Sequence, residues 1–122
     1  MKKLVGGLLL LGAFAFSNAQ TITFDKTTID YGTVKANSDG NRVFTFTNTG
    51  DKPLILRNVQ PGCGCTASEY TKEPILPGKK GEIKVHYNTA TVAPFKKTID
   101  VFSNDPANGR IVLYIQGTVV AQ

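Results

Sequence analysis

Two cysteines are the residues best suited to do chemistry, and they stand one residue apart in the segment Cys63-Gly64-Cys65-Thr66. Three kinds of chemistry fit this spacing. A disulfide can close across one residue, and Gly64 would give the tight turn the conformational freedom that such a ring needs. Two thiolates can also bind a soft ion such as Cu(I) or Zn²⁺, and a dithiol can exchange with other disulfides.

The rest of the chain separates these alternatives only in part. A closed zinc site takes four ligands, whereas the sequence has one histidine. That residue, His86, alternates with apolar residues and is expected to face solvent. Catalytic exchange usually uses Cys-x-x-Cys at the start of a helix, and no helical pattern follows here. We therefore predict that Cys63 and Cys65 are joined to each other, with Gly64 and Thr66 supporting the turn. Cu(I) binding and redox chemistry remain as alternatives.

Other catalytic arrangements are not evident in the sequence. The nine Asp and Glu residues fall mainly in turns or on predicted exposed faces, and no pair of them suggests acid–base catalysis. No glycine-rich phosphate loop precedes a helix. The formal net charge is +5, but the basic residues are scattered rather than aligned as a nucleic-acid footprint. The chain is thus predicted to be no enzyme, to need no cofactor and to bind no nucleic acid.

The elements that would position the cysteines are strands, because apolar and polar residues alternate with a period of two. Phe44 and Phe46 share one face of a strand, and Ile83, Val85 and Tyr87 share one face of another. Clusters of Gly, Pro, Asn and Asp separate these runs as turns. Strands are expected near residues 22–25, 29–35, 41–48, 54–60, 66–70, 81–88, 95–103 and 110–119. The predicted core consists of Phe44, Phe46, Leu54, Leu56, Ile83, Val85, Ile99, Val101, Leu113 and Ile115.

Seven or eight short strands in a chain of this size predict an all-β, antiparallel β-sandwich. The cysteine segment then lies in the turn between the strands near 54–60 and 66–70. Antibody-type domains have two cysteines far apart in sequence with a tryptophan between them. This chain has neighbouring cysteines and no tryptophan, so the sandwich would lack the disulfide that joins the two sheets of an antibody domain.

The N-terminal segment has the layout of a secretory signal peptide. Lys2 and Lys3 precede an uncharged apolar run, Leu4 to Phe16, and Ser17-Asn18-Ala19 supplies the small residues of a cleavage site before Gln20. As a helix the apolar run would rise about 20 Å, which is shorter than the hydrocarbon core of about 30 Å. We predict a signal peptide over 1–19, one domain over 20–122, a periplasmic or secreted location and no membrane span after cleavage.

The ordered set of motifs resembles a bacterial family of unknown function, number 1573 in the domain-of-unknown-function series. The motifs are Phe24, Asp30-Tyr31-Gly32-Thr33-Val34, Phe44 to Gly50, Pro53-Leu54-Ile55-Leu56, Cys63-Gly64-Cys65-Thr66, Pro77-Gly78, Ser103-Asn104-Asp105-Pro106 and Ile115 to Val119. The family in turn resembles immunoglobulin-like domains of the cilia- and centrosome-associated (ASH) and major-sperm-protein type. That resemblance implies a seven-stranded immunoglobulin-like sandwich and an envelope protein of a Bacteroidota-like source.

The resemblance implies an interaction module, which is how such sandwiches are used elsewhere. It implies no activity, because the family has no established one. The predicted protein is a non-catalytic binding or structural module of the cell envelope. Its partner would be another envelope protein, bound through a sheet face or an edge strand. The alternative is a thiol-based Cu(I)-binding or redox protein that uses Cys63 and Cys65.

Overall fold

The computed structural model describes residues 19–122, and the predicted signal segment therefore lies outside the described residues except for Ala19. The described chain is built from eight strands, in keeping with the alternating pattern of the sequence. They are β1 (Ile22–Phe24), β2 (Thr28–Lys35), β3 (Asn41–Asn48), β4 (Leu56–Pro61), β5 (Thr66–Tyr70), β6 (Lys80–Tyr87), β7 (Pro94–Ser103) and β8 (Arg110–Val120). Residues 19–122 include no helix that is both long and apolar enough to span a membrane.

The strands form two four-stranded sheets with the orders β1-β3-β6-β5 and β2-β8-β7-β4. We call the first sheet A and the second sheet B. Apolar side chains from the inner faces of both sheets form one core, which gives a β-sandwich. This arrangement confirms the predicted all-β immunoglobulin-like class.

The pairing is antiparallel except between β2 and β8, which run parallel. The exception follows from the path of the N-terminal segment. β1 pairs with β3 in sheet A, and the chain then crosses to sheet B within the few residues before Thr28. β2 then lies beside β8, the last strand, and runs parallel to it. Alternation within a strand does not report its neighbour's direction, and the sequence therefore gave no sign of this pair.

Every residue predicted for the core is buried in the structure, which confirms that prediction. The least exposed large side chains are Phe44, Phe46, Leu54, Ile83, Ile99, Leu113 and Ile115. An aromatic cluster completes the core where β5 begins: Tyr87, which pairs with Thr66, stacks on Phe95 with ring centres 3.9 Å apart. Tyr31 packs edge-on against Phe95, and its hydroxyl donates to the carbonyl of Gly40 at 2.7 Å.

One predicted strand begins later than expected. The pattern suggested a strand from residue 54, whereas β4 begins at Leu56. Leu54 is fully buried but forms a two-way bridge with Ile75, each N–H donating to the other's carbonyl at 2.9 and 2.7 Å. The apolar run from Leu54 therefore pairs with two different segments: Leu54 with Ile75, and the residues from Leu56 onward with β7. Periodicity within the run does not indicate this change of partner.

Candidate functional site

The cysteine turn carries the chain from one sheet to the other. β4 belongs to sheet B and β5 to sheet A, and residues 62–65 connect them. Backbone hydrogen bonds hold both ends of this connection. The N–H of Gly62 donates to the carbonyl of Thr98 at 2.9 Å, and the N–H of Asn88 donates to the carbonyl of Cys65 at 3.0 Å. The position of the turn is therefore fixed by sheet contacts that do not involve the sulfur atoms.

Cys63 and Cys65 are joined in a disulfide, with Cα atoms 5.2 Å apart. The N–H of Thr66 donates to the carbonyl of Cys63 at 3.1 Å. The N–H of Cys65 donates to Sγ of Cys63, also at 3.1 Å, and the Thr66 hydroxyl lies 3.9 Å from Sγ of Cys65. Thr66 thus contacts the turn through both its backbone and its side chain.

Gly64 has a different place in the turn from the one expected. Its φ is not positive, and a Cβ at this position would have no neighbour within 4 Å. The backbone therefore does not need the conformational freedom of glycine here. The effect of Gly64 is instead to leave the outer side of the disulfide without a covering side chain.

A shallow surface depression of about 350 Å³ adjoins the disulfide. Its lining includes Cys63 but no charged side chain. Both cysteines are half-buried rather than enclosed. A sulfur atom of another molecule could therefore approach this pair from solvent.

His86 does not join the cysteines in a metal site. It is exposed on β6, where it pairs with Ala67, and its Nδ1 lies 3.0 Å from Oδ1 of Asn41. Within residues 19–122, no group of three or more His, Cys, Asp or Glu side chains could hold a metal ion. The chemistry of this turn thus depends on the two sulfur atoms alone.

The edge strands are the second candidate site, because their unpaired backbone groups can bind another strand. Three of the four edges are obstructed. In β1, the N–H of Ile22 is already bound by Oδ2 of Asp105 at 3.0 Å. β2 has a bulge between Asp30 and Thr33. β4 has a bulge after Leu56 and ends in proline, which has no N–H to offer.

β5 is a five-residue edge strand with a regular register, since each of its residues pairs in order with one residue of β6. Cys65 accepts a hydrogen bond from Asn88, and Thr71 donates one to Glu82. Because such bonds alternate along an antiparallel ladder, the odd-numbered residues of β5 face β6. The backbone groups of Thr66, Ser68 and Tyr70 therefore face away from the sheet. The N–H of Thr66 is satisfied within the turn, which leaves Ser68 and Tyr70 with free donors at this edge.

The side chains around β5 differ between its two faces. On the outer face, Glu69 pairs with Lys84 of β6. Two shallow grooves of about 220 and 360 Å³ lie beside this pair, and both include Glu69 and Lys84 in their lining. On the inner face, Ser68 and Tyr70 are half-buried and lie toward the core. The edge thus presents a polar side and a partly apolar side.

The sequence matches the family model "Protein of unknown function (DUF1573)" over residues 22–119, which is nearly the whole of the described domain. The chain belongs to the DUF1573 family. This confirms the resemblance carried by the motifs. No curated protein matches this sequence.

Solved structures similar to this DUF1573 domain show the same fold at low sequence identity. A protein of unknown function from Porphyromonas gingivalis is 15% identical with a TM-score of 0.74; the match covers 89% of this chain and 51% of that one. The seventh PapD-like (ASH) domain of human CEP192 is 8% identical with a TM-score of 0.64, and the match covers 100% and 99%. A chain of the CsuC-CsuE chaperone and tip adhesion subunit complex from Acinetobacter baumannii is 10% identical with a TM-score of 0.56, covering 81% and 57%. This chain therefore spans about half the length of the Porphyromonas protein.

The burial of two polar residues in the DUF1573 domain was not predicted from the sequence. Asn48 is fully buried and Asp105 is 4% exposed. Asp105 accepts from the backbone N–H groups of Ile22, Ala107 and Asn108 at 2.8–3.0 Å. Both residues stand in turn-rich segments, where Asn and Asp usually face solvent. Only their place in the family motifs hinted at a special role.

Burial and hydrogen bonding act in opposite directions on the pKa of Asp105. Burial tends to raise this pKa, but the three N–H donors stabilise the carboxylate and together hold the pKa below its usual 3.8. For Tyr31, burial dominates and raises the pKa of the hydroxyl to about 12, against the opposing effect of the nearby Arg42. Both groups serve the fold, since each is engaged with backbone groups of its own domain.

Proposed function

We propose that this protein is a non-catalytic module of the cell envelope that binds an extended segment of another envelope protein along the free edge of β5. The observation that carries the proposal is the regular register of β5, in which Ser68 and Tyr70 direct their backbone groups away from β6. The Ser68 side chain reaches toward β4, with its Oγ 3.5 Å from the carbonyl of Val59, and the backbone N–H of Ser68 still faces outward. An added strand would bond to these groups and extend sheet A. Each hydrogen bond of this kind contributes about 0.5–1.5 kcal/mol, so side-chain contacts must supply the remaining affinity.

The two faces of β5 define the chemistry of the segment. Residues of an added strand alternate between the two faces of the sheet. On the outer face they would lie beside Ala67 and Glu69, and a basic side chain there would pair with the Glu69 carboxylate. On the inner face they would lie beside Tyr70, where an apolar side chain is favoured. The proposed partner segment thus alternates apolar and polar residues and carries at least one Lys or Arg.

The fold supports a role in binding rather than catalysis. The Acinetobacter chain belongs to a complex between a chaperone and a tip adhesion subunit, so a related sandwich occurs in a protein that associates with another chain. In the present domain, the buried Asp105 is bound by backbone N–H groups of its own domain and is not presented to a substrate. These features favour a partner protein as the ligand.

Export is the part of the proposal that rests on the sequence. The signal-like segment before Gln20 supports secretion, with the mature chain starting two residues before β1. Mass spectrometry of the envelope fraction tests this directly. A mature protein that begins at Gln20 is expected, and a chain retaining Met1 would contradict export with cleavage.

Crosslinking in the native cell tests the binding edge. A photo-reactive amino acid replaces Ala67, which is exposed on β5, or Thr23, which is exposed on β1 at the opposite edge of the same sheet. We expect one defined protein adduct from position 67 and none from position 23. The yield of the adduct should fall by about two- to tenfold when Ser68→Pro removes an outward N–H. Equal adducts from both positions, or an unchanged yield in Ser68→Pro, would contradict binding through β5.

A further inference from the structure

The proposed binding edge makes no use of the cysteine pair in the turn directly before β5. We propose that Cys63 and Cys65 form a thiol–disulfide exchange site, with Cys63 as the sulfur that reacts with the thiol or disulfide of another molecule. Cys65 is the sulfur that resolves the mixed disulfide. This inference is independent of whether β5 binds a partner.

Access is the first requirement, since exchange needs a sulfur atom to reach the disulfide from solvent. The depression beside the pair provides this approach, and Gly64 leaves it uncovered. The lining of the depression contains no Asp or Glu, so an incoming thiolate meets no adjacent negative charge. A structural disulfide enclosed in the core would have none of these features.

The two sulfur atoms have different surroundings, and this difference assigns their roles. Cys65 is among the half-buried side chains that pack against the core, whereas Cys63 is not part of that cluster. The N–H of Cys65 points at Sγ of Cys63 at 3.1 Å. A hydrogen bond to a thiolate favours the charged form, so in the reduced protein Cys63 is the better thiolate as well as the more accessible one. It is therefore the nucleophile.

The reaction proceeds in two balanced exchanges. The Cys63 thiolate attacks one sulfur of an external disulfide, whose S–S bond breaks and releases the other sulfur as a thiolate. The Cys65 thiolate then attacks Sγ of Cys63, which restores the internal disulfide and releases the first external sulfur as a second thiolate. Two electrons pass from the cysteine pair to the external disulfide, and the protons lost by the two cysteines end on the two released thiols. An external dithiol drives the same steps in reverse.

The frame around the turn favours rapid resolution. The bonds from Gly62 to Thr98 and from Asn88 to Cys65 involve backbone atoms only, and they therefore persist when the S–S bond opens. The two cysteines remain one residue apart in a held turn, and attack of Cys65 on the mixed disulfide is intramolecular. Such pre-organisation raises the effective concentration of the second thiol far above that of any external thiol.

Single-cysteine variants with oxidised glutathione as the probe test the assignment. In Cys65→Ser the remaining cysteine is Cys63, and in Cys63→Ser it is Cys65. Each variant therefore serves as the control for the other. Near pH 7, Cys65→Ser should form its glutathione adduct about tenfold faster than Cys63→Ser, because Cys63 lines the open depression whereas Cys65 packs against the core. The reduced wild type should return to its internal disulfide without retaining glutathione. Circular dichroism of both variants checks that the sandwich is retained, so that the two adduct rates are compared in folded proteins.

A second experiment uses a protein disulfide as the substrate: the reduced wild-type protein is mixed with insulin. Reaction with glutathione and insulin supports a site that serves proteins and small thiols alike, and reaction with glutathione alone supports a site restricted to small thiols. Equal adduct rates in the two folded variants would overturn the roles assigned to the sulfurs. A wild type that keeps glutathione bound, or that reacts with neither probe, would overturn the exchange site itself.

Discussion

The side chain of Asn48 joins three segments that meet at one end of the sandwich. Its Nδ2 group donates to the carbonyls of Lys52 and Ile75 at 2.7 and 2.9 Å. Its Oδ1 accepts from the N–H groups of Gly50 and Thr21 at 2.9 and 3.3 Å. All the hydrogen-bonding capacity of a fully buried amide is thus used, and the turn after β3 is tied to the segments on either side of it.

Asn48→Asp is expected to destabilise the fold strongly. A carboxylate has no N–H for the two carbonyls and would place buried negative charge beside them. The free energy of unfolding should fall by on the order of 3 kcal/mol, since two buried acceptors lose their donors. Urea unfolding measures this, with Asn58→Asp on the exposed side of β4 as the control. The role assigned to Asn48 is wrong if the two variants lose similar stability.

Asp105 predicts a loss of stability in acid. Its pKa in the fold is below 3.8, whereas an unfolded Asp titrates near 3.9. A lowered folded pKa means that the carboxylate contributes its stability above the unfolded value and loses it as the pH falls through the folded value. Asp105→Asn should therefore unfold at a midpoint that varies less with pH below about 4. Asp25→Asn, at an exposed position, is the control, and an equal change in both variants would contradict the assignment.

These residues mark what could not be predicted from the sequence at this scale. Apolar residues of the core followed from alternation, because each faces inward by its position in a strand. Asn48 stands two residues before Gly50 and Asp105 directly before Pro106, which is the ordinary composition of an exposed turn. Their burial depends on which distant segments fold over them. Ile22 and Ile75 provide those contacts, and neither is near in sequence.

At the scale of the strands, the orientation of the backbone groups in β5 predicts that proline substitutions at neighbouring positions destabilise the fold to different extents. The N–H of Ser68 faces outward, so Ser68→Pro removes no bond to β6. The N–H of Ala67 faces β6, so Ala67→Pro removes a ladder bond and leaves a carbonyl of β6 without its donor. Ala67→Pro should lower the free energy of unfolding by at least about 1 kcal/mol more than Ser68→Pro. Thermal unfolding compares the two, and the opposite order would show that β5 faces the other way.

The strands themselves were largely predictable, whereas their pairing was not. β3, β6, β7 and β8 follow directly from alternation bounded by turn residues, and β5 follows from the spacing of the turns around it. The parallel contact of β2 with β8 and the bridge of Leu54 with Ile75 depend on how the chain crosses between sheets. The identity of the open edge depends in turn on those pairings. β5 could therefore be foreseen as a strand but not as the free edge of sheet A.

The whole molecule is a two-sheet sandwich that carries the proposed binding edge at β5 and the proposed exchange turn at residues 62–65. The disulfide closes a loop so short that its loss should cost on the order of 1.5 kcal/mol. The core and the two sheets do not depend on it, because the strands on both sides of the turn are paired with β6 and β7. The fold can therefore support binding at β5 in either state of the cysteine pair.

The most direct test of the central claim is amide hydrogen exchange along β5, measured with and without the partner segment captured by crosslinking at position 67. In the free protein, the amides of Ala67 and Glu69 should be protected by β6, and those of Ser68 and Tyr70 should exchange rapidly. Addition of the segment should slow exchange at Ser68 and Tyr70. Protection that appears elsewhere on the sandwich while these two amides stay fast would contradict β5 as the binding edge.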